Sequence, residues 1–367
     1  MNEYYVVLSG AKNNSGDYYI GHRARQLFRA LRPDREIVEY PAWLPLDSEK
    51  LAIINRSQAL LLVGGPALRP DIWPGVYPLT PDLSNIKVPI VTLGVGYKGA
   101  TGDWNETRHS GFTPASLTLL SRINKNATPS SVRDFHTLNV LQSQGFHNFV
   151  MTGCPGLYSF PHLGSQLLHA PKPILGISPG TTFASNASAK SQLIKVVRTL
   201  AEKYGTENCR IAFHHTIDTQ KYIKAYGNLS AFLSAQQELA KLFTSAGLEV
   251  VDVSGESEAM LAFYQSVDIH VGYRVHAHLL MCSISKPSIL IAEDGRGGAS
   301  RGVLGGLVFD AWLNNHQEPL QACPEVAEEI CRHLEYETVH GFPRLSNPRR
   351  TIDALFPTMA NFFQGLP

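Results

Sequence analysis

Arg274 and His276, two residues apart, carry the most chemical information in this sequence. A guanidinium is a planar fork that donates two parallel hydrogen bonds, a match for carboxylate or phosphate. An imidazole gives and takes protons near neutral pH. Together they suggest anion binding beside general acid–base work. Both lie in VDIHVGYRVHAHLLMCSISKPSILIA, residues 267–292. A short apolar strand, Val267–Val271, enters Gly272-Tyr273. An apolar helix follows from His276 to Ser283, and Lys286-Pro287 turns the chain into a second apolar strand, Ser288–Ala292. Strand, turn, helix, turn, strand is the pattern of a parallel α/β sheet. The pair falls just past a strand's carboxyl end, where open α/β sheets bind ligands.

Other candidates fall at similar turns. Asn14, Gly16 and Asp17 precede a helix, whose first N–H groups and dipole favour an anion. Gly64-Gly65, Gly94–Gly96 and Gly153–Gly156 also end strands, where glycine lets backbone approach a ligand or simply makes a tight turn. Arg133 is either an anion ligand or the partner of Asp134, which is itself a helix cap. His214 and His215 point to opposite faces of an extended segment, so one at most enters a site; His214 is the candidate taken. Glu293-Asp294-Gly295-Arg296-Gly297-Gly298 reads as a loop able to close on a ligand, with Glu293 and Arg296 as its polar contacts. Neither a Walker loop nor a GxGxxG fingerprint is present.

The bulk properties narrow the classes. The chain has 367 residues, 44% hydrophobic, with net charge +1. That size favours two domains of about 150 residues each. Without a dense Lys/Arg run, no nucleic-acid partner is expected. No apolar run approaches the roughly 18 residues of a membrane span. The N-terminus enters a strand without a signal-peptide pattern. The five cysteines are scattered outside CxxC or Cys/His spacing, so no metal is expected, and reduced thiols fit a cytoplasmic protein.

Strands are expected at Tyr4–Leu8, Arg35–Tyr40, Ala59–Val63, Val88–Leu93, Pro129–Arg133 and Phe149–Thr152, alternating with helices. A second series begins at Ile174–Ser178 and continues through Cys209–His214 and Glu249–Val253 to the Arg274 unit. The irregular stretch Tyr158–Lys172 reads as a linker. These patterns predict an α/β protein with a Rossmann-like domain over 1–165, another over 173–335, and a helical tail, 336–367, packing back on the first. A break or kink is expected at Pro357. Two such domains would face each other across a cleft. Arg349-Arg350 with Phe356, Phe362 and Phe363 reads either as part of that tail helix crossing back onto the N-terminal domain, the favoured reading, or as a peripheral membrane contact. The Tyr97–Gly111 loop is either a specificity loop or a crossover.

Five segments together resemble the polysaccharide pyruvyl transferase family. NNSGDYYI is similar to that family's Asn-x-Gly-Asp start, LLLVGGP to its glycine-rich strand end, and SVRD to its Ser-x-Arg-Asp/Glu turn. TGCPGLYS stands where the family often has Gly-Asp-Pro, with Cys154 replacing the acid. DIHVGYRVHAHLLMCSISKPSILI resembles the Arg-x-His-Ala segment, and Arg296 stands where members often place a lysine. The resemblance implies a glycosyltransferase B-type architecture and transfer of pyruvate from phosphoenolpyruvate to two hydroxyls of a saccharide, lipid-linked or not, in bacterial surface glycan biosynthesis. The product is a cyclic ketal, and no cofactor is needed. It further implies His276 as general acid–base, Arg274 as donor ligand, and the donor on the C-terminal domain. The acceptor would lie near Asp17 and Gly64-Gly65. A sugar-nucleotide glycosyltransferase or epimerase on the same fold is the alternative.

Overall fold

The computed structural model of the chain describes residues 3–10, 12–99, 111–313 and 319–367. Most of the Tyr97–Gly111 loop therefore lies outside the described residues. The chain divides into two compact units. The first comprises Met1–Ala11, Ile20–Tyr158 and Ile352–Pro367; the second comprises Lys12–Tyr19 and Ser159–Thr351.

In the first unit, β1 (Tyr4–Ser9), β2 (Glu36–Pro41), β3 (Leu60–Val63) and β4 (Ile90–Leu93) pair in parallel in the order β2-β1-β3-β4. β5 (Ser130–Val132) and β6 (Phe149–Met151) pair in parallel with each other. They adjoin the β4 edge, where Gly94 N–H donates to the Ser131 carbonyl at 3.1 Å and Arg133 N–H to that of Val95 at 3.0 Å. Every residue of β3 and β4 is buried, as expected of parallel strands covered on both faces. The crossovers include α1 (Ser15–Leu31), α2 (Ser48–Ile54), α3 (Pro114–Asn124) and α4 (Phe135–Ser143). Ile20, Ala24, Leu27 and Phe28 of α1 are buried, the 3.6-residue stripe legible in the sequence.

The second unit holds β7 (Leu175–Ser178), β8 (Cys209–Phe213), β9 (Glu249–Asp252), β10 (Ile269–Gly272), β11 (Ser288–Ala292) and β12 (Leu307–Asp310). All pair in parallel, in the order β12-β11-β10-β7-β8-β9. The chain lays down β7, β8 and β9 in one direction, then returns to place β10 on the other side of β7. The order reverses there, which makes the carboxyl ends of β7 and β10 the topological switch point, the usual ligand position of such sheets. Its helices are α5 (Ala187–Tyr204), α6 (Thr219–Tyr226), α7 (Ala231–Ser245), α8 (Ser257–Gln265), α9 (Val275–Ser283), α10 (Gly295–Leu304) and α11 (Val326–Val339). Residues 276–283 of α9 are all buried, so this helix has no polar stripe to show.

Four sequence expectations change. Lys12–Tyr19 belongs to the second unit, because Asn13 Oδ1 accepts the Thr216 N–H at 2.8 Å and its carbonyl accepts that of Gly255 at 2.8 Å. The stretch after Glu293 is not a loose loop. Asp294 caps α10 by accepting the Arg296 N–H at 2.9 Å, and a Cβ on Gly297 would lie 2.6 Å from Ala292 Cβ. Glycine there lets the helix start lie directly on the end of β11. The final helix, α12 (Asn347–Gln364), continues through Pro357, which sits on its exposed side. The Arg349/Phe group is no membrane patch: Arg349 is buried and donates to the Ser283 carbonyl at 3.0 Å, and Phe363 packs edge-on to Phe28 at 4.8 Å.

Gly272 faces Ser178 across the β7–β10 pair, where a Cβ would lie 2.5 Å from the Ser178 carbonyl oxygen. Backbone cannot yield as a flexible side chain can. Gly272→Ala is expected to destabilise the fold by about 1–3 kcal/mol. The measurement is the urea midpoint, which should fall at unchanged slope; an unchanged midpoint would contradict this packing.

Candidate active site

Arg274 stands at the switch point as the N-cap of α9. Its N–H donates to Ser178 Oγ at 3.3 Å, its Nε to the Pro179 carbonyl at 2.7 Å, and its Nη2 to that of Gly180 at 3.1 Å. One backbone and two guanidinium contacts to the β7 end hold the half-buried side chain in a fixed orientation. Burial lowers its pKa to about 10, with Arg296 adding to the effect and Glu293 opposing it. It stays a cation at neutral pH.

The Asn13–Asp17 loop lies against this point. Ser15 N–H donates to the His214 carbonyl at 3.2 Å, and Asn14 Nδ2 to Asp17 Oδ2 at 2.8 Å. A Cβ on Gly16 would collide with the His276 ring at Nδ1. The helix start therefore rests on the imidazole, which only a residue without a side chain permits. Asn14, Gly16, Asp17, Arg274 and His276 thus come together within one unit.

Glu293 has a different task from the ligand contact expected of it. Its two carboxylate oxygens accept from the Thr181 N–H (3.0 Å), the Thr182 N–H (3.2 Å) and both threonine hydroxyls (3.1 and 2.9 Å). It holds the loop whose carbonyls orient Arg274. Arg296 meets Asp294 through Nε at 2.8 and 2.9 Å and Nη2 at 2.5 Å. Burial opposes its charge, but Asp294, with Glu293 and Asp17 adding, lifts its pKa above the ordinary value.

The first-unit candidates serve packing. Arg133 is buried, with Nε on Asp134 Oδ2 at 3.0 Å and Nη2 on the Tyr97 carbonyl at 3.4 Å, and Asp134 caps α4 through the Thr137 N–H at 2.7 Å. Gly64 and Gly65 have φ of +63° and +72°, and a Cβ on Gly64 would strike Ile20. These two glycines make the tight turn out of β3.

A family model described as polysaccharide pyruvyl transferase matches residues 14–295. The chain belongs to the polysaccharide pyruvyl transferase family. No curated protein matches it. Among solved structures, S. aureus MnaA in a co-structure with UDP is similar over 99% of this chain and 97% of its own, at TM-score 0.52 and 11% identity. A putative UDP-N-acetylglucosamine 2-epimerase from Listeria monocytogenes is similar over 98% and 95%, at TM-score 0.52 and 10% identity. The UDP-GlcNAc 2-epimerase from Neisseria meningitidis bound to UDP-GlcNAc is similar over 99% of each chain, at TM-score 0.50 and 10% identity. Likeness at such identities is one of fold: α/β with two Rossmann-like domains, the glycosyltransferase B-type class.

Behind the family's Arg-x-His segment runs a buried polar chain that sequence reasoning missed. Ser178 Oγ bonds His270 Nε2, His270 Nδ1 bonds Ser288 Oγ, and Ser288 Oγ bonds His278 Nδ1, each at 2.8 Å. Ser288 has one proton, so it donates to one ring and accepts from the other. Burial disfavours a charge on either ring, and with both neutral the two histidines are of opposite tautomer. His214 is also internal, with Nε2 2.7 Å from the Tyr264 hydroxyl. Burial drives His214 and His270 well below the ordinary histidine value and lowers His278 to about 4. The neighbouring His215 is half-buried and is lowered to about 3 by burial, with Arg274 and Arg296 adding. Strand alternation separates the faces of His214 and His215, but does not say which face is the interior. Among the described residues, no group of His, Cys, Asp and Glu is arranged to hold a metal, and no helix is long and apolar enough to cross a membrane.

These depressed values fix a pH dependence. The unfolded histidines bind protons below about 6.5 while the folded ones resist. Their stabilising contribution is full above that pH and is lost as pH falls toward about 4, the folded value of His278. Each fully resisting histidine contributes a slope of up to about 1.4 kcal/mol per pH unit. Urea midpoints between pH 7 and 4 should fall on acidification, and His278→Gln should flatten the fall. An equal slope in that variant would remove His278 from the account.

Proposed function

We propose that the protein transfers pyruvate from phosphoenolpyruvate to two hydroxyls of a sugar in a surface glycan or its precursor, forming a cyclic ketal and releasing phosphate. The observation that carries this reading is a guanidinium, Arg274, held by two hydrogen bonds to backbone carbonyls at the switch point of the second sheet, two residues from His276, in a chain of this family. The donor presents a carboxylate and a phosphate. Arg274 binds one of them with charge-assisted hydrogen bonds. Arg296 adds positive potential tempered by Asp294, and the start of α1, whose dipole favours an anion, lies against His276 at Gly16.

One sugar hydroxyl adds its oxygen to C2 of the enol while C3 gains a proton and becomes the methyl group. The C2–O bond to phosphate then breaks, and the second hydroxyl closes on C2. Two hydroxyl protons are lost; one ends on C3 and the other on the departing phosphate. His276 is the residue proposed to carry a proton between these positions. Glu293 and Ser178 act as positioning residues through Arg274.

Thermal unfolding tests the donor. Phosphoenolpyruvate should raise the midpoint, by the equivalent of about 2.7 kcal/mol at a hundredfold excess over Kd, where UDP, GDP and phosphate do not. Arg274→Ala should abolish the shift. A shift specific to UDP or GDP would instead favour a sugar-nucleotide enzyme. His276→Gln should keep the phosphoenolpyruvate shift but lower phosphate release about 10²–10⁴-fold; unaltered turnover would remove His276 from the chemistry.

A further inference from the structure

The segment leaving β8 carries aromatic groups to the edge of the Arg274 site. His215 lies between two residues tied to the N-terminal loop: the His214 carbonyl takes the Ser15 N–H at 3.2 Å, and the Thr216 N–H reaches Asn13 Oδ1 at 2.8 Å. His215 Nδ1 lies 3.5 Å from the Tyr226 hydroxyl, and its ring meets that of Phe232 at 5.5 Å and 88°. Tyr226 ends α6 and packs on Tyr222 at 4.6 Å, yet stays 38% exposed. Tyr222 Oη lies 2.5 Å from Ser230 Oγ, the cap of α7, so the helices bearing Tyr226 and Phe232 are tied together. The rings are preorganised rather than free to collapse.

Their chemistry differs from that of the neighbouring arginines. His215, held down to about 3, and Tyr226, pushed up to about 12 chiefly by burial, are both neutral at ordinary pH. The Ser15 N–H bond to the His214 carbonyl, one residue before His215, and the contact of Gly16 with the His276 ring place these rings beside the Arg274–His276 site. A neutral aromatic face with a polar tip suits a ligand with an apolar face and a hydroxylated rim. A pyranose has such a face: its axial C–H groups carry slight positive charge toward the negative face of a ring.

We propose that Tyr226 is a stacking platform for a pyranose ring of the acceptor, with His215 and Phe232, set edge to face, walling the subsite and the Asp17 carboxylate accepting hydrogen bonds from the sugar hydroxyls. The proposal rests on the pyruvyl-transfer reading for the identity of the acceptor. It assigns the acceptor ring to the second unit, apart from Gly64 and Gly65.

The test is saturation-transfer NMR on the full chain with the methyl glycosides of glucose, galactose and mannose. Wild type and Tyr226→Phe should transfer saturation to the ring protons of at least one glycoside, and Tyr226→Ala should lose about tenfold of that signal. The phosphoenolpyruvate-induced rise in unfolding midpoint should be equal in all three proteins. No transfer from wild type to any glycoside, or full transfer in Tyr226→Ala, overturns the platform. So does loss of the phosphoenolpyruvate shift in Tyr226→Ala alone, which would make Tyr226 structural. If the shift is absent from all three proteins while the sugar signal depends on Tyr226, the donor reading fails and the platform stands.

Discussion

The close approach of β10 to β7 is the constraint on which the site depends. Gly272 has no side chain, so its backbone lies directly against Ser178. That contact brings the Arg274 N–H to Ser178 Oγ and the guanidinium to the carbonyls of Pro179 and Gly180. A guanidinium tied to backbone loses little freedom when it meets an anion, so its hydrogen bonds go into binding rather than ordering. Glu293 completes the arrangement from the next strand, since its carboxylate fixes the loop carrying those carbonyls. A carboxylate that the sequence suggests as a ligand contact thus works one step behind the cation.

The buried histidines behind this point are held at a cost. Each imidazole deep in the sheet gives up water, and an unsatisfied polar group there would cost about 1–3 kcal/mol. The chain from Ser178 through His270 and Ser288 to His278 leaves none of its bonded atoms unpaired. Burial, rather than the direction of any bond, disfavours an added charge on either ring. The chain is rigid at neutral pH and vulnerable to acid, which ties the geometry around Arg274 to the same tautomers that hold the sheet.

The N-terminal loop gives the site its other half. Asn13 uses its side-chain oxygen and its carbonyl to join the ends of β8 and β9. The first turn of α1 then sits over His276 with Gly16 as the contact. The proposed anionic donor and neutral sugar would call for different surroundings, cations for one and aromatic faces for the other. Both kinds occur within the second unit, set side by side by the loop that follows β8.

Much of this was legible in the residues themselves. Alternating apolar runs and glycine turns dictate parallel strands and crossover helices, since such runs bury both faces only in that arrangement. The Arg-x-His spacing at a strand end marks the candidate site, and the Asn-x-Gly-Asp and Ser-x-Arg-Asp segments carry the family resemblance. Tertiary structure decided which side chains are free to act. Arg133 and Glu293 have the same chemistry as ligands and as internal partners, and only the neighbours at 3 Å distinguish the two. Period-two alternation separates His214 from His215 without naming the inner face. Asn13 to Asp17 lead into and begin a helix that continues into the first unit, yet Asn13 hydrogen bonds to Thr216 and Gly255, more than 200 residues away, go with their place in the second unit. Local sequence determines elements because propensity and periodicity act over a few residues; the partners of a polar group are settled by whatever the fold brings within bonding distance.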